Sequence, residues 1–247
     1  MRTPDHFERA ARAEERQLRL QRLQRMSDRE VRALLSGDAA EAAPWVRCAA
    51  EFGVAPAQVR IGRMLLEGEG VARDPALALR WFVRAAEQGD TDAMNMVGRC
   101  HENGWGTLAD LELAAYWYHA SGAAGHDWGR YNYANMLFDG RGVGMDRASA
   151  LQWYARAAGQ GHVRAMNLLG RCWEEGWGCT RSPDDAFYWY RQSALGGYFR
   201  GQLNYASCLA ERGLRDEAKE WLARASAESA RDGAAKSRSL PDDCGLR

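Results

Sequence analysis

Two stretches of this sequence carry the same three reactive groups in the same order: Asn95, Arg99 and Glu102, then Asn167, Arg171 and Glu174. Spacings of four and three put an amide, a guanidinium and a carboxylate on one helix face. An amide both donates and accepts, so asparagine can bracket a peptide backbone. The planar fork of arginine fits a carboxylate through two parallel bonds. Arg63 falls in the same column as Arg99 and Arg171, so three arginines share one stripe. That is the chemistry of holding an extended peptide. The same trios can also close on themselves, with Arg99–Glu102 and Arg171–Glu174 as i, i+3 ion pairs on a solvated face.

Catalytic arrangements are weaker. His101-Glu102 has Trp105 where a metalloprotease helix needs its second histidine. The recurring Gly-x-Gly follows a helical pattern and no strand, which excludes a dinucleotide fingerprint. His126 and His162 align with Asp90 and Tyr198 in a turn column. Glu174-Glu175 reads as a helix end and Asp184-Asp185 as a helix first turn, where carboxylates suit the dipole. No nucleophile stands near a base at a diagnostic spacing. The six cysteines lack CxxC pairs, and Cys100, Cys172 and Cys208 share a column with Met64 and Met136, a soft core position. The residues therefore predict no enzyme, no cofactor and no metal site.

What positions these residues is a period. Shifted by 36, the sequence matches itself: Gly62, Gly98 and Gly170 align, with Ala134 and Ala206 as variants. Gly68, Gly104, Gly140 and Gly176 form a second column, and Gly70, Gly106, Gly142 and Gly178 a third. Trp45, Trp81, Trp117, Trp153 and Trp189 form a fourth. Such a period is the mark of a solenoid built from one supersecondary unit. Each repeat reads as an apolar-periodic helix closed by Gly-x-Gly, then an N-cap (Asp74, Asp110, Asp146 or Ser182) and a second helix carrying Ala-x-x-Trp. One such hairpin cannot bury its apolar side alone.

Along the chain, residues 1–37 read as a charged, Arg-rich helix, running from 5 to about 36, with Glu8–Arg12 and Glu15–Arg19 spaced to pair. Such a helix either packs on the first repeat as a solvated leader or docks on an acidic partner, a membrane surface or a second copy. Residues 38–56 read as a capping half-repeat, 57–200 as four full repeats, 201–226 as a C-terminal capping repeat and 227–247 as a disordered tail. Lys+Arg and Asp+Glu both number 33, which gives no pull toward nucleic acid. The first thirty residues hold no apolar run of the roughly 7–15 residues that a secretory signal needs, and nothing reaches the ~20 of a membrane span. A cytoplasmic location is the expectation.

The pattern Ala-x-x-x-Leu-Gly-x-x-x-x-x-Gly-x-Gly-Val-x-x-Asp, then Ala-x-x-Trp-Tyr-x-x-Ala-Ala-x-x-Gly, resembles the Sel1-like repeat, a variant of the tetratricopeptide α/α solenoids. Residues 57–90 fit it nearly throughout. The resemblance implies an all-α, right-handed superhelical solenoid that serves as an adaptor for a protein or peptide partner. In such solenoids the first helices line a concave groove. Carried over by register, the groove residues are Arg63; Asn95, Arg99 and Glu102; Tyr131, Asn135 and Phe138; Asn167, Arg171 and Glu174; and Ser207. Tyr131 and Phe138 would be an apolar anchor between two polar repeats. A secreted, cysteine-rich branch of the family is linked to penicillin-type hydrolysis, but this sequence has Ala86, Gly122, Ala158 and Ala194, and no cysteine, at the end of the second helix.

Overall fold

A computed structural model describes residues 4–27, 29–30, 33 and 37–236, and every regular element among them is an α-helix. The chain divides into two units, residues 1–109 and 110–247. The first contains α1 (Pro4–Arg25), α2 (Ala39–Glu51), α3 (Ala55–Glu67), α4 (Pro75–Glu87) and α5 (Thr91–Asn103). The second contains α6 (Leu111–Ala123), α7 (Asp127–Asp139), α8 (Arg147–Ala158), α9 (Val163–Glu175), α10 (Pro183–Leu195), α11 (Phe199–Glu211) and α12 (Arg215–Lys236). Within each unit every helix packs on the next, as in a solenoid of helical hairpins.

The hairpins form where the sequence punctuates them. Asp74, Asp110, Asp146 and Ser182 each accept a backbone N–H from three residues ahead, at 2.9, 2.9, 2.9 and 3.3 Å, which starts α4, α6, α8 and α10. Gly104, with φ +69°, ends α5 in the left-handed conformation that glycine adopts without strain. The second glycine of each loop has another task. A Cβ on Gly106 would overlap the backbone carbonyl of Pro75, and one on Gly142 that of Leu111. Those residues open α4 and α6, so this glycine lets the loop lie on the start of the preceding repeat's second helix. The fifth repeat lacks the loop. There Arg212 donates to the Pro183 carbonyl (3.5 Å) and to Asp184 (2.7 Å), which fastens it to the start of α10 by side chain.

The small-residue column has a physical reason as well: a Cβ at Gly62 would meet the Phe82 ring at 2.5 Å, and one at Gly170 the Tyr190 ring at 2.6 Å. Aromatic rings of the second helix lie flat against the bare backbone of the first. In the Trp-Tyr pairs the tyrosine is the core residue. Tyr118, Tyr154 and Tyr190 are fully buried, while Trp117, Trp153 and Trp189 are only half-buried. Cys100, Cys172, Met64 and Met136 are buried in their shared column.

Two boundaries differ from the sequence reading. The helix expected to run to about 36 stops at Arg25. Ser27 donates its N–H and hydroxyl to Glu30 (both 2.7 Å), and the Glu30 N–H returns to the Ser27 hydroxyl (3.4 Å). This is a capping box, the signature of a fresh helix start. At the other end α12 continues to Lys236, ten residues into the stretch expected to be a disordered tail from 227. Ala-Glu-Ser-Ala-Arg-Asp-Gly-Ala-Ala-Lys is rich in helix formers, and their propensity extends the terminal helix. Residues 237–247, with Cys244, lie outside the described residues.

Candidate partner-binding face

The first helices of the repeats carry the residues that the register assigns to partner binding, and the structure gives each a definite local setting. In the first unit these are Arg63 on α3 and Asn95, Arg99 and Glu102 on α5. Arg63 is already engaged: its Nη2 contacts both oxygens of Asp92, at 2.8 and 2.7 Å. Asn95 is only 5% exposed. The Arg99 guanidinium lies 5.1 Å from the ring centre of Trp105, the tryptophan of the Gly-Trp-Gly loop.

The second unit brings the remaining residues onto α7, α9 and α11. Arg171 repeats the arrangement of Arg99, lying 5.2 Å from the ring centre of Trp177. Phe138 meets the same indole edge-on at 5.2 Å, and Tyr131 and Phe138 are both half-buried. Tyr131 stacks on His162 at 4.6 Å. Asn167 is buried and accepts a hydrogen bond from Asn204 at 2.8 Å, which ties α9 to α11. Ser207 is exposed.

Two of the polar residues serve buried phenols. Tyr154 donates to Asn135 (2.6 Å) and Tyr190 to Glu174 (2.5 Å). A buried hydroxyl without an acceptor would cost about 1–3 kcal/mol, so these bonds are part of the fold. The ion pair conceived between Arg171 and Glu174 does not form: the carboxylate takes its bond from Tyr190, and the guanidinium faces the indole.

Three thiols among the described residues are held in their neutral form. Burial pushes the thiols of Cys100 and Cys172 up to about 12 and that of Cys208 up to about 11, so they stay protonated at neutral pH and are poor nucleophiles. Burial also raises Tyr131 and Tyr154 above the ordinary phenol value. His162 is driven the other way, down to about 4, by burial first. Its Nδ1 accepts the Ala165 N–H at 3.1 Å and caps α9. Among the described residues no group of three or more His, Cys, Asp or Glu could hold a metal, and no helix is long and apolar enough to cross a membrane.

These features, two-helix repeats with a glycine loop and an aromatic second helix, coincide with one family. A model of the Sel1 repeat matches residues 55–90, 91–126, 129–162 and 163–198, more than half of the chain. The chain belongs to the Sel1 repeat family. Sel1 repeats generally serve as protein–protein interaction modules and as non-catalytic scaffolds. Among solved structures the chain is similar to a Sel1 repeat protein from Oxalobacter formigenes, with 27% identity and a TM-score of 0.70 over 76% of this chain and 77% of that one. It is also similar to c5321, a protective antigen of uropathogenic Escherichia coli with the same repeat fold, with 32% identity and a TM-score of 0.67 over 81% of this chain. The match spans only 45% of that antigen. Immunity protein Pa5087 of Pseudomonas aeruginosa shares the fold at 17% identity, with a TM-score of 0.52 over 73% of this chain and 68% of that one. No functionally curated protein matches the sequence.

One row of the Sel1 repeats escaped the sequence reading. One turn before the trios, Trp128, Arg164 and Arg200 stand at identical positions near the starts of α7, α9 and α11. The Arg164 guanidinium lies between two rings, 5.2 Å from Trp128 and 5.9 Å from Tyr198. Trp128 is 40% exposed and Arg200 is exposed. Extending the helical stripe three residues toward the N-terminus would have found them.

Proposed function

We propose that this Sel1 repeat protein is a non-catalytic adaptor that holds a segment of a partner protein along the faces of its first helices. The residues assigned to that face are Arg63, Asn95, Arg99, Glu102, Tyr131, Asn135, Phe138, Asn167, Arg171, Glu174 and Ser207. The observation that carries the reading is the twin setting of Arg99 over Trp105 and Arg171 over Trp177. A guanidinium held over an indole loses little further freedom on binding, which preorganises it for a peptide. Within the face, Arg99, Arg171, Ser207 and the rim of Tyr131 are the contact groups. Asn135, Asn167 and Glu174 hold the neighbouring side chains in place.

Affinity capture from a lysate of the source cell, read by mass spectrometry, tests this. The baits are wild type and Arg99→Glu/Arg171→Glu. Partners held by wild type and lost from the double variant are expected. A prey list unchanged by the two reversals would overturn the assignment.

A further inference from the structure

The strongest signal outside the trios is a change of charge between equivalent positions. In the first unit Arg63 is neutralised by Asp92, which stands near the start of α5. Moved by three periods, Arg63 becomes Arg171 and Asp92 becomes Arg200. Where the first unit pairs opposite charges, the second sets an arginine opposite an arginine. The middle position of the same row is Arg164. None of Arg164, Arg171 and Arg200 forms an ion pair among the described residues; their recorded partners are aromatic rings. Arg164 and Arg200 also stand close enough to Tyr131 for both charges to act on its phenol.

This placement runs against helix electrostatics. Cations in a first turn oppose the positive end of the dipole, and carboxylates in a last turn oppose the negative end. Yet α9 and α11 begin with Arg164 and Arg200, and α7, α9 and α11 end with Asp139, Glu175 and Glu211. The α5 helix differs in its first turn, which holds Asp92. Of the carboxylates nearer the arginines, Asp127 accepts the Trp128 N–H (2.8 Å) and Glu174 the Tyr190 hydroxyl.

Resting on the peptide-binding reading above, we infer that the partner segment is acidic and docks on the second unit, across Trp128, Arg164, Arg171 and Arg200. Carboxylates of the segment meet the three guanidinium groups, and apolar side chains of the segment pack on the exposed parts of Trp128 and of Leu203, each 40% accessible.

The test is fluorescence anisotropy of the full chain with three probes: a labelled peptide of Glu and Asp interspersed with Leu and Phe, its Gln and Asn counterpart, and a single-stranded oligonucleotide. The acidic peptide is expected to bind at least about tenfold more tightly than the neutral one and to weaken as salt rises. Arg200→Asp restores the favourable dipole order, so it folds with an undiminished melting temperature and still loses about tenfold in affinity. Arg164→Gln loses a similar factor. Equal affinity for the acidic and neutral peptides, tighter binding of the oligonucleotide, or an Arg200→Asp variant that binds like wild type would each overturn the inference. A captured partner that depends on Arg171 but binds through a segment without carboxylates would overturn it too, while leaving the adaptor reading intact.

Discussion

His162 shows how much one side chain of a repeat can carry. It closes a turn, caps α9 through Nδ1, and lies between Tyr131 and Trp128 at 4.6 Å from each ring. With Nδ1 accepting, the neutral ring keeps its proton on Nε2, which has no partner among the described residues. Protonating Nδ1 would break the cap, and burial disfavours the charge, so the imidazole sits at about 4 in the fold against 6.5 outside it. The unfolded chain therefore binds more protons between those values. The contribution is present above about pH 6.5 and is lost as pH falls toward 4, by up to about 3 kcal/mol. Urea unfolding at about pH 7 and about pH 4.5 should show this loss. His162→Asn, which keeps a cap acceptor but does not titrate, should show a flatter dependence; an unchanged slope would refute the assignment. The sequence reading identified His126 and His162 as turn residues. It had no signal for the burial of His162, because one of the two rings that cover it, Trp128, comes from a column one helical turn outside the stripe considered.

At the scale of elements, the two glycines of each loop look alike in sequence and do different work. Both have positive φ: 69° at Gly104 and 75° at Gly106. A Cβ at Gly104 would meet its nearest neighbour, the Thr107 carbonyl, at 3.4 Å, whereas one at Gly106 would overlap the start of α4. Gly104→Ala should therefore cost about 1 kcal/mol, the strain of a left-handed alanine. Gly106→Ala adds displacement of the loop from the neighbouring hairpin and should cost about 3 kcal/mol or more. Denaturant midpoints of the two variants decide it; equal losses would mean that the second glycine does not set the stacking. The period made the hairpins and caps legible because each depends on local spacing. The break after Arg25 was legible too, as Ser27-x-x-Glu30, but the arginine ladder running through it has the same helical period on both sides. The division of labour in Gly-x-Gly was not legible, since it depends on a contact 31 residues away.

For the whole molecule, the total charge is uninformative and its distribution is not. Equal numbers of acidic and basic residues give no pull toward a polyanion, yet in the second unit Arg164 and Arg200 stand at the opposite ends of their helices from Glu175 and Glu211. The column of arginines was visible in the sequence; which of them were already neutralised was not, because Asp92 lies on the next repeat from Arg63. A solenoid also has to end, since its last hairpin has no successor to cover it. Here α12 closes the stack: Tyr205, Ala206 and Leu209 on α11 are buried in a cluster with Ala218 and Trp221 of α12. Its outward residues from Glu220 to Arg224 are exposed apart from Trp221. The residues after Ser226 extend the helix, but Ala227 is exposed, and among the described residues the last member of the core along α12 is Ala225. Two truncations separate covering from extension. Ending the chain after Ser226 should leave the melting temperature within about 2 °C, because none of the described core side chains is removed. Ending it after Gly213 uncovers Tyr205 and Leu209 at the same time, a loss of several kcal/mol, and should lower the melting temperature by 10 °C or more, to roughly where the exposed face drives aggregation. If the shorter chain melted like the full one, the burial of α11 would have to come from somewhere other than α12.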